Sequence, residues 1–362
     1  ESGEDHSCAV DDLGQLFCWG DNVDGQLGVG STTDSPAPQP VVLPAAVDDV
    51  TLGTQFTCAL LVNDQVWCWG EGSDFQVGSG DLMPVLSPLQ VPGVPAVDLV
   101  DIDAGARGTC VISAAGERWC WGYSSNGNLG VAPLQQLEPV SVSFSGPLQE
   151  LVLDFPEQEG VMCGVLADGS VECTGDGTLV NATSLGAHGY FEPITHHLIV
   201  PTPLATLADV QDLALGNGFA CAATTTSVVC WGDNSNRQLG QGGTSITDIY
   251  TQVPVMGLGA VDELETGYLH ACVRFSDTVQ CWGNNSDFQT GVIGTSTDQS
   301  TPQTLPNMLD AVDIELGEGH GCALRATGVV SCWGNDFNGQ MGDNDMDPAD
   351  PLAPVDVTGL PP

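Results

Sequence analysis

Residues 58–70 read Cys-Ala-Leu-Leu-Val-Asn-Asp-Gln-Val-Trp-Cys-Trp-Gly: an apolar run, a polar turn and a second apolar run closed by Cys-Trp-Gly. Two such runs around Asn-Asp read as a β-hairpin. Cysteines placed across the turn can face each other on neighbouring antiparallel strands. Non-hydrogen-bonded partners there sit about 4.5 Å apart at Cα, within reach of a disulfide. Upstream, Ala-Val-Asp-Asp-Val-Thr-Leu-Gly (46–53) alternates apolar and polar residues, the period of a half-buried strand. Downstream of each hairpin comes a Gly/Asn/Asp-rich loop, as in GDNVDGQLG (20–28), and then a Pro-punctuated extended segment such as PQPVVLP (38–44).

This unit recurs along the whole chain. All 14 cysteines fall in pairs: Cys8/Cys18, Cys58/Cys68, Cys110/Cys120, Cys163/Cys173, Cys221/Cys230, Cys272/Cys281 and Cys322/Cys332. Partners are nine or ten residues apart, and successive pairs recur every 50 to 58 residues. A fixed period near 50 is the mark of a repeat architecture. Pro and Gly punctuate every unit, and no amphipathic stretch of helical length appears. Four short strands per unit, repeated seven times, predict an all-β fold: one seven-bladed β-propeller over residues 1–362.

Zinc or iron–sulfur ligation competes for the cysteines, but ligand pairs usually sit two to four apart and recruit a second pair. The even count and regular spacing favour one disulfide per blade. Bridges on that scale predict an oxidising compartment, hence an extracellular or cell-surface protein. With no leader before the first repeat, the expected form is mature or trimmed.

The chain carries 47 acidic residues against five Arg and no Lys, a net charge of -42. Such a surface repels phosphate, so nucleic acid is not an expected partner. No apolar run is long enough for a transmembrane segment. A mean hydropathy of +0.07 and 42% hydrophobic content are too apolar for disorder. There is no GxSxG, HExxH, CxxC or phosphate loop, and no basic cluster to hold an anionic transition state. No catalytic residue, metal or cofactor is therefore expected. A carboxylate pair leaves no linear motif, which keeps a glycosidase conceivable.

Cys18-Trp19-Gly20-Asp21-Asn22-Val23-Asp24-Gly25-Gln26-Leu27-Gly28 resembles the repeat of the regulator-of-chromosome-condensation family. So do Gly319-His320-Gly321-Cys322-Ala323-Leu324 with Trp333-Gly334 … Gly339-Gln340-Met341-Gly342, and Trp231-Gly232 … Gln238-Leu239-Gly240. The resemblance implies a seven-bladed propeller, and the added cysteines resemble those of Crinkly-type receptor ectodomains. It implies a rigid disc presenting loops to a macromolecule rather than one activity.

Joined end to start, Gly359-Leu360-Pro361-Pro362 and Glu1 … Cys8 lie on Gly257 … Cys272, lacking only counterparts of Val261-Asp262-Glu263-Leu264. The last blade is thus expected to be closed by both termini with one strand incomplete. Either flanking residues were removed, or a neighbouring molecule adds the strand at the edge. Repeated head to tail, the latter would build a filament.

His6, His270 and His320 each lie two residues before a cysteine, where Phe56 and Phe219 also occur, which favours a packing role. The Trp after the second cysteine in six blades is expected in the core, while Trp67 and Trp119 point to the opposite strand face. Asp21-Asn22-Val23-Asp24-Gly25 and Asp343-Asn344-Asp345-Met346-Asp347 invite calcium, but the bidentate Glu is missing and turn chemistry explains the same residues. Blade four breaks the consensus after Cys173 and carries His188, Tyr190, Phe191, His196 and His197. A repeat that abandons its pattern marks a candidate binding loop. The expected function is a non-enzymatic module that binds a protein partner, with His188, Tyr190, Phe191, His196, Trp67 and Trp119 as candidate contacts. The alternative is a self-associating subunit of an extracellular filament or coat.

Overall fold

The computed structural model describes residues 1–124, 127–130, 136–153, 160–176, 197–204, 207–292, 295–346 and 353–361. Seven antiparallel sheets follow one another along the chain, one per repeat. In blade two the strands are Val47–Leu52, Phe56–Leu61, Val66–Gly70 and Val85–Gln90, from the axis outward. Blades two to seven have four strands each. Blade one holds the strand expected to be incomplete: His6–Val10, Leu16–Gly20 and Ser35–Pro40 form three strands, and a single Ser2–Ser7 bridge stands where the innermost would be, while the C-terminal Val355–Asp356 pairs in blade seven.

Each hairpin places its two cysteines directly opposite one another. All seven expected pairs are disulfides: Cys8–Cys18, Cys58–Cys68, Cys110–Cys120, Cys163–Cys173, Cys221–Cys230, Cys272–Cys281 and Cys322–Cys332. Their Cα atoms lie 4.0–4.1 Å apart. The spacing of the sequence and the antiparallel register therefore meet at the same bond. Cys68, Cys120 and Cys281 are wholly buried in their blades, so these bridges are part of the core rather than of any contact surface.

The residue after the second cysteine welds blades together. Trp19, Trp69, Trp121, Trp231, Trp282 and Trp333 are all fully buried. Burying about 200 Å² of aromatic surface contributes about 5 kcal/mol each before entropy is counted. A buried indole N–H needs an acceptor. Trp69 donates to the Gln26 carbonyl at 2.8 Å, and Trp121, Trp282, Trp333 and Trp19 to those of Gln76, Gln238, Gln289 and Gln340. Each acceptor belongs to the preceding blade, so the Gly-Gln-Leu-Gly loop is read by its neighbour. Blade four has Thr174 at this position, and its hydroxyl donates to the Asn128 carbonyl at 2.6 Å. The donor changes while the joint persists.

The following glycine is fixed by sterics. Gly70 has φ +104°, and a Cβ there would stand 2.5 Å from the Gln55 carbonyl oxygen. Gly175 keeps this conformation in blade four, where the tryptophan is gone. The histidines fill a related niche. His6 Nε2 lies 3.0 Å from Thr57 Oγ1, and His320 Nε2 lies 2.9 Å from Ser7 Oγ, each across a blade boundary. Burial holds all three histidines neutral, with pKa values lowered to about 3.

Candidate functional site

The innermost strands carry a pattern that their alternation hides until they are superposed. One equivalent position holds Asp49, Asp101, Glu150, Asp212, Glu263 and Asp313: a carboxylate in every complete blade. Two residues on come Thr51, Asp103, Val152, Ala214, Glu265 and Glu315, with Glu1 in blade one. Because strand side chains alternate, both sets share one face, and the aliphatic residue between them turns into the blade. Residues of all seven blades, including Asp103, Glu150, Glu265 and Glu315, line an axial cavity of about 170 Å³.

These carboxylates have a structural task. Asp49 Oδ2 accepts the Ile102 N–H at 3.3 Å, Asp212 Oδ2 the Leu264 N–H at 2.7 Å, and Glu263 Oε1 the Ile314 N–H at 3.2 Å. Asp103 Oδ2 likewise accepts the Leu153 N–H at 2.9 Å. Every such bond reaches the innermost strand of the following blade, whose axis-facing edge would otherwise present bare amides. The cost is electrostatic. Burial, then repulsion from Glu1 and Asp101, pushes Asp49 up to about 7. Burial and the adjacent Asp313 raise Glu263 to about 7, against the pull of Arg274, whose Nε lies 2.5 Å from Glu263 Oε2. Asp103, Glu150, Glu265 and Glu315 stand well above the usual carboxylate range, again through burial first.

The rim loops use their oxygen-rich residues internally. Asn22 is buried; its amide donates to the Ser31 and Thr33 carbonyls while its Oδ1 accepts the Leu27 N–H. Asn234 and Asn285 repeat the arrangement. Asp21 Oδ2 accepts from Gln26 Nε2 at 2.6 Å. This is turn chemistry. In blade seven Asp336 replaces the asparagine, and its carboxylate converges with those of Asp343 and Asp345 within 4.8 Å. Among the described residues, these three are the set that could hold a metal ion; Asp347 lies outside them.

Trp67 and Trp119 are half-buried. The first packs against the same buried cluster as Leu43, Ala45 and Val85, the second against the same cluster as Val94 and Val97, so both flank the blade core. His188, Tyr190, Phe191 and His196 lie outside the described residues.

A different surface emerges at the hairpin turns. Four consecutive blades present apolar side chains there: Phe275 in blade six, Leu324 and Val329 in seven, Leu13 in one and Val62 in two. Leu13 is 83% exposed, Val62 61% and Phe275 54%. The turns of blades three to five carry Ala114, Asp168 and Thr225 instead. Sequence alone could mark these residues only as apolar in a turn, because their common face depends on the ring order of the blades.

The comparisons agree with this architecture. The "Regulator of chromosome condensation (RCC1) repeat" matches residues 14–60 and 63–112, and a second version of that repeat matches 1–26, 47–76 and 311–340. The chain carries RCC1 repeats and folds as their seven-bladed propeller. It is 26% identical to the ultraviolet-B receptor UVR8 of Arabidopsis thaliana over 94% of this chain and 77% of that protein. It is 27% identical to the secretion-regulating guanine nucleotide exchange factor of Bos taurus, over 99% of this chain and 70% of that protein. Among solved structures, Prp20p of Saccharomyces cerevisiae, described with its binding properties to Gsp1p and histones, superposes with TM-score 0.80 at 18% identity, over 99% of this chain and 86% of that one. The CRINKLY WD40 ectodomain of the Arabidopsis thaliana receptor kinase ACR4 superposes with TM-score 0.52 at 17% identity, over 92% of each chain. Among the described residues, no helix is long and apolar enough to cross a membrane.

Proposed function

We propose that this protein is an extracellular propeller that binds another protein, without catalysis, through the hairpin-turn face of blades six, seven, one and two. The observation that carries the reading is the series of exposed apolar side chains at the hairpin turns of four consecutive blades, from Phe275 to Val62, on a strongly acidic chain. Apolar side chains left exposed on one face among polar residues suit a protein contact. Seven disulfides favour an oxidising compartment, and the ACR4 propeller is itself an ectodomain. Prp20p, with the same fold, is a protein binder by its own description. The blade-four residues His188, Tyr190, Phe191 and His196, with Trp67 and Trp119, are proposed as a further contact set.

The axial carboxylates do not favour an enzyme. Those with assigned bonds spend an oxygen on a neighbouring backbone amide, an arrangement that holds blades together.

The test is capture from the extracellular fraction of the source organism by immobilised protein, comparing wild type with Leu13→Asp/Phe275→Asp. A specific partner retained by wild type and lost with the double variant is expected. Retention by both would remove this face from the reading. Non-reducing mass analysis should give a chain about 14 Da lighter than its reduced form, two hydrogens for each of seven bridges.

A further inference from the structure

The axial cavity gathers acidic groups that the chain does not balance. Asp103, Glu150, Glu265 and Glu315 all line its wall. They come from blades three, four, six and seven, each with its full four strands. The sequence has no Lys and five Arg, and every Arg is engaged away from these four residues. Arg107 pairs with Asp74, Arg274 with Glu263 and Arg325 with Asp310. Arg118 donates to the Gly146 carbonyl and Arg237 to that of Asp298. Carboxylates withdrawn from water beside one another are costly unless a proton or an external cation offsets them.

Two features of the wall go beyond acidity. Ser2 also lines the cavity and is 4% exposed, and among the described residues its hydroxyl has no hydrogen-bond partner. A polar group buried in this way calls for a partner inside the cavity. Blade order then sets the acids on two sides of an apolar sector. Val152 and Ala214 occupy the ring position in blades four and five, with Asp103 of blade three before them and Glu265 and Glu315 of blades six and seven after them. Asp103 spends one oxygen on the Leu153 amide. Glu265 makes no hydrogen bond among the described residues, and Glu315, Asp212 and Glu263 all press like charge on it.

This wall does not suit a bare metal ion. Calcium ligands stand about 2.3–2.6 Å from the ion, hence within about 5 Å of one another. Among the described residues, the carboxylates that converge so closely are those of Asp336, Asp343 and Asp345 on the rim. An extended cation, with charge at both ends and an apolar middle, matches acids held apart by Val152 and Ala214. At about 170 Å³ the cavity is also smaller than the roughly 300–1,000 Å³ of sites for drug-sized ligands, which limits the occupant's length.

We propose that the axial cavity is a binding site for a small linear diammonium ion. One ammonium pairs with Asp103, the other with Glu265 and Glu315, and the methylenes lie on Val152 and Ala214. Each ammonium brings three donors and no acceptor, so it also supplies a partner for the Ser2 hydroxyl. The site is separate from the hairpin-turn face, and it stands or falls independently of partner binding there.

The probe is 1,4-diaminobutane, titrated into the full chain by calorimetry at pH 8 and constant ionic strength. Saturable 1:1 binding and a raised melting temperature are expected. Butylamine, with the same chain and one ammonium, should bind about tenfold more weakly or less, because one set of charge-assisted hydrogen bonds is lost. Glu265→Gln and Asp103→Asn remove one charge at either end with little change of shape, and each should weaken diamine binding about tenfold. Thermal melts of the unliganded variants separate lost binding from lost folding. Asp343→Asn/Asp345→Asn removes charge from the rim and should leave binding unchanged. Absence of saturable binding, equal binding of butylamine, or full binding by folded Glu265→Gln and Asp103→Asn would overturn the site. An equal loss in the rim variant would reduce the effect to surface charge and overturn it as well. Displacement of the diamine by one equivalent of calcium would overturn the diammonium in favour of a metal ion.

Discussion

The axial strands and the rim loops are both rich in acidic residues, yet the structure uses the two sets for different bonds. On the rim, Asp and Asn side chains close turns. In the blade-four hairpin turn, Asp168, bonded to the hydroxyl and amide of Ser170 on the surface, has its pKa lowered, whereas burial raises that of rim Asp21 against its hydrogen bonds. At the axis, eight carboxyls (Asp49, Asp101, Asp103, Glu150, Asp212, Glu263, Glu265 and Glu315) are raised by burial first, with repulsion from neighbouring carboxylates adding to it in all but Asp212. The charge that turns sequence composition into a single number is therefore two populations with different energetics. The axial set tightens blade-to-blade contacts through its bonds and loosens them through its charge.

The largest expected effect is the pH dependence that follows. A carboxyl whose folded pKa lies above its unfolded value binds a proton more tightly when folded, so stability falls as pH rises from about 4 through about 7. The buried histidines act in the other direction. Their pKa falls from 6.5 to about 3, so acidification through that window favours the unfolded chain, which can protonate them. Eight carboxyls against three histidines give a melting temperature several degrees higher at pH 5 than at pH 8. A thermal melt series checks this; a maximum above pH 7 would dissolve the distinction between the two sets.

Next in size is the rim itself. Asn22→Ala removes three hydrogen bonds from a buried side chain and should cost about 2–4 kcal/mol in urea denaturation, with little change between pH 5 and pH 8. A strong pH dependence would show that axis and rim are not separable. Glu265→Gln keeps the shape and removes one axial charge. It should raise the melting temperature by a few degrees at pH 8 and leave it unchanged at pH 4, where the native glutamate is already protonated. The smallest effect is expected of Asp336→Asn, which restores the amide that Asn22, Asn234 and Asn285 use in sibling blades. It also withdraws one carboxylate from Asp343 and Asp345, for a gain of about 1 kcal/mol. A loss on that substitution would mean that the three carboxylates act together.

Much of the fold was legible because the repeat repeats its own reasons. The Cys pairs, such as Cys58 with Cys68, Cys110 with Cys120 and Cys272 with Cys281, fixed the hairpins. The apolar–polar alternation of 46–53 fixed an innermost strand. The Trp that follows the second cysteine could be assigned to the core, since an indole beside a disulfide in a hairpin has few exposed alternatives. Less was legible of the site. A signal existed for the axial rings: Asp49, Asp101, Glu150, Asp212, Glu263 and Asp313 recur at one position of one strand. Alternation alone reads them as solvent-facing residues, because the solvent side of an innermost strand and the wall of an axial cavity have the same period. Trp67 and Trp119 illustrate the same limit. Their strand face was readable, but not that they pack against the same buried clusters as Leu43, Ala45, Val94 and Val97.

By itself the sequence determined what depends on short-range spacing: the hairpins, their bridges and the number of blades. These are local because disulfide reach and backbone sterics act over a few ångströms of one hairpin. Only the tertiary structure decided what depends on closure of the ring. It brought carboxylates of separate blades to one axis, raising their pKa values, and aligned four hairpin turns into one apolar arc. Those properties arise from burial and proximity between segments 50 or more residues apart, and electrostatics and apolar contact act through space rather than along the chain.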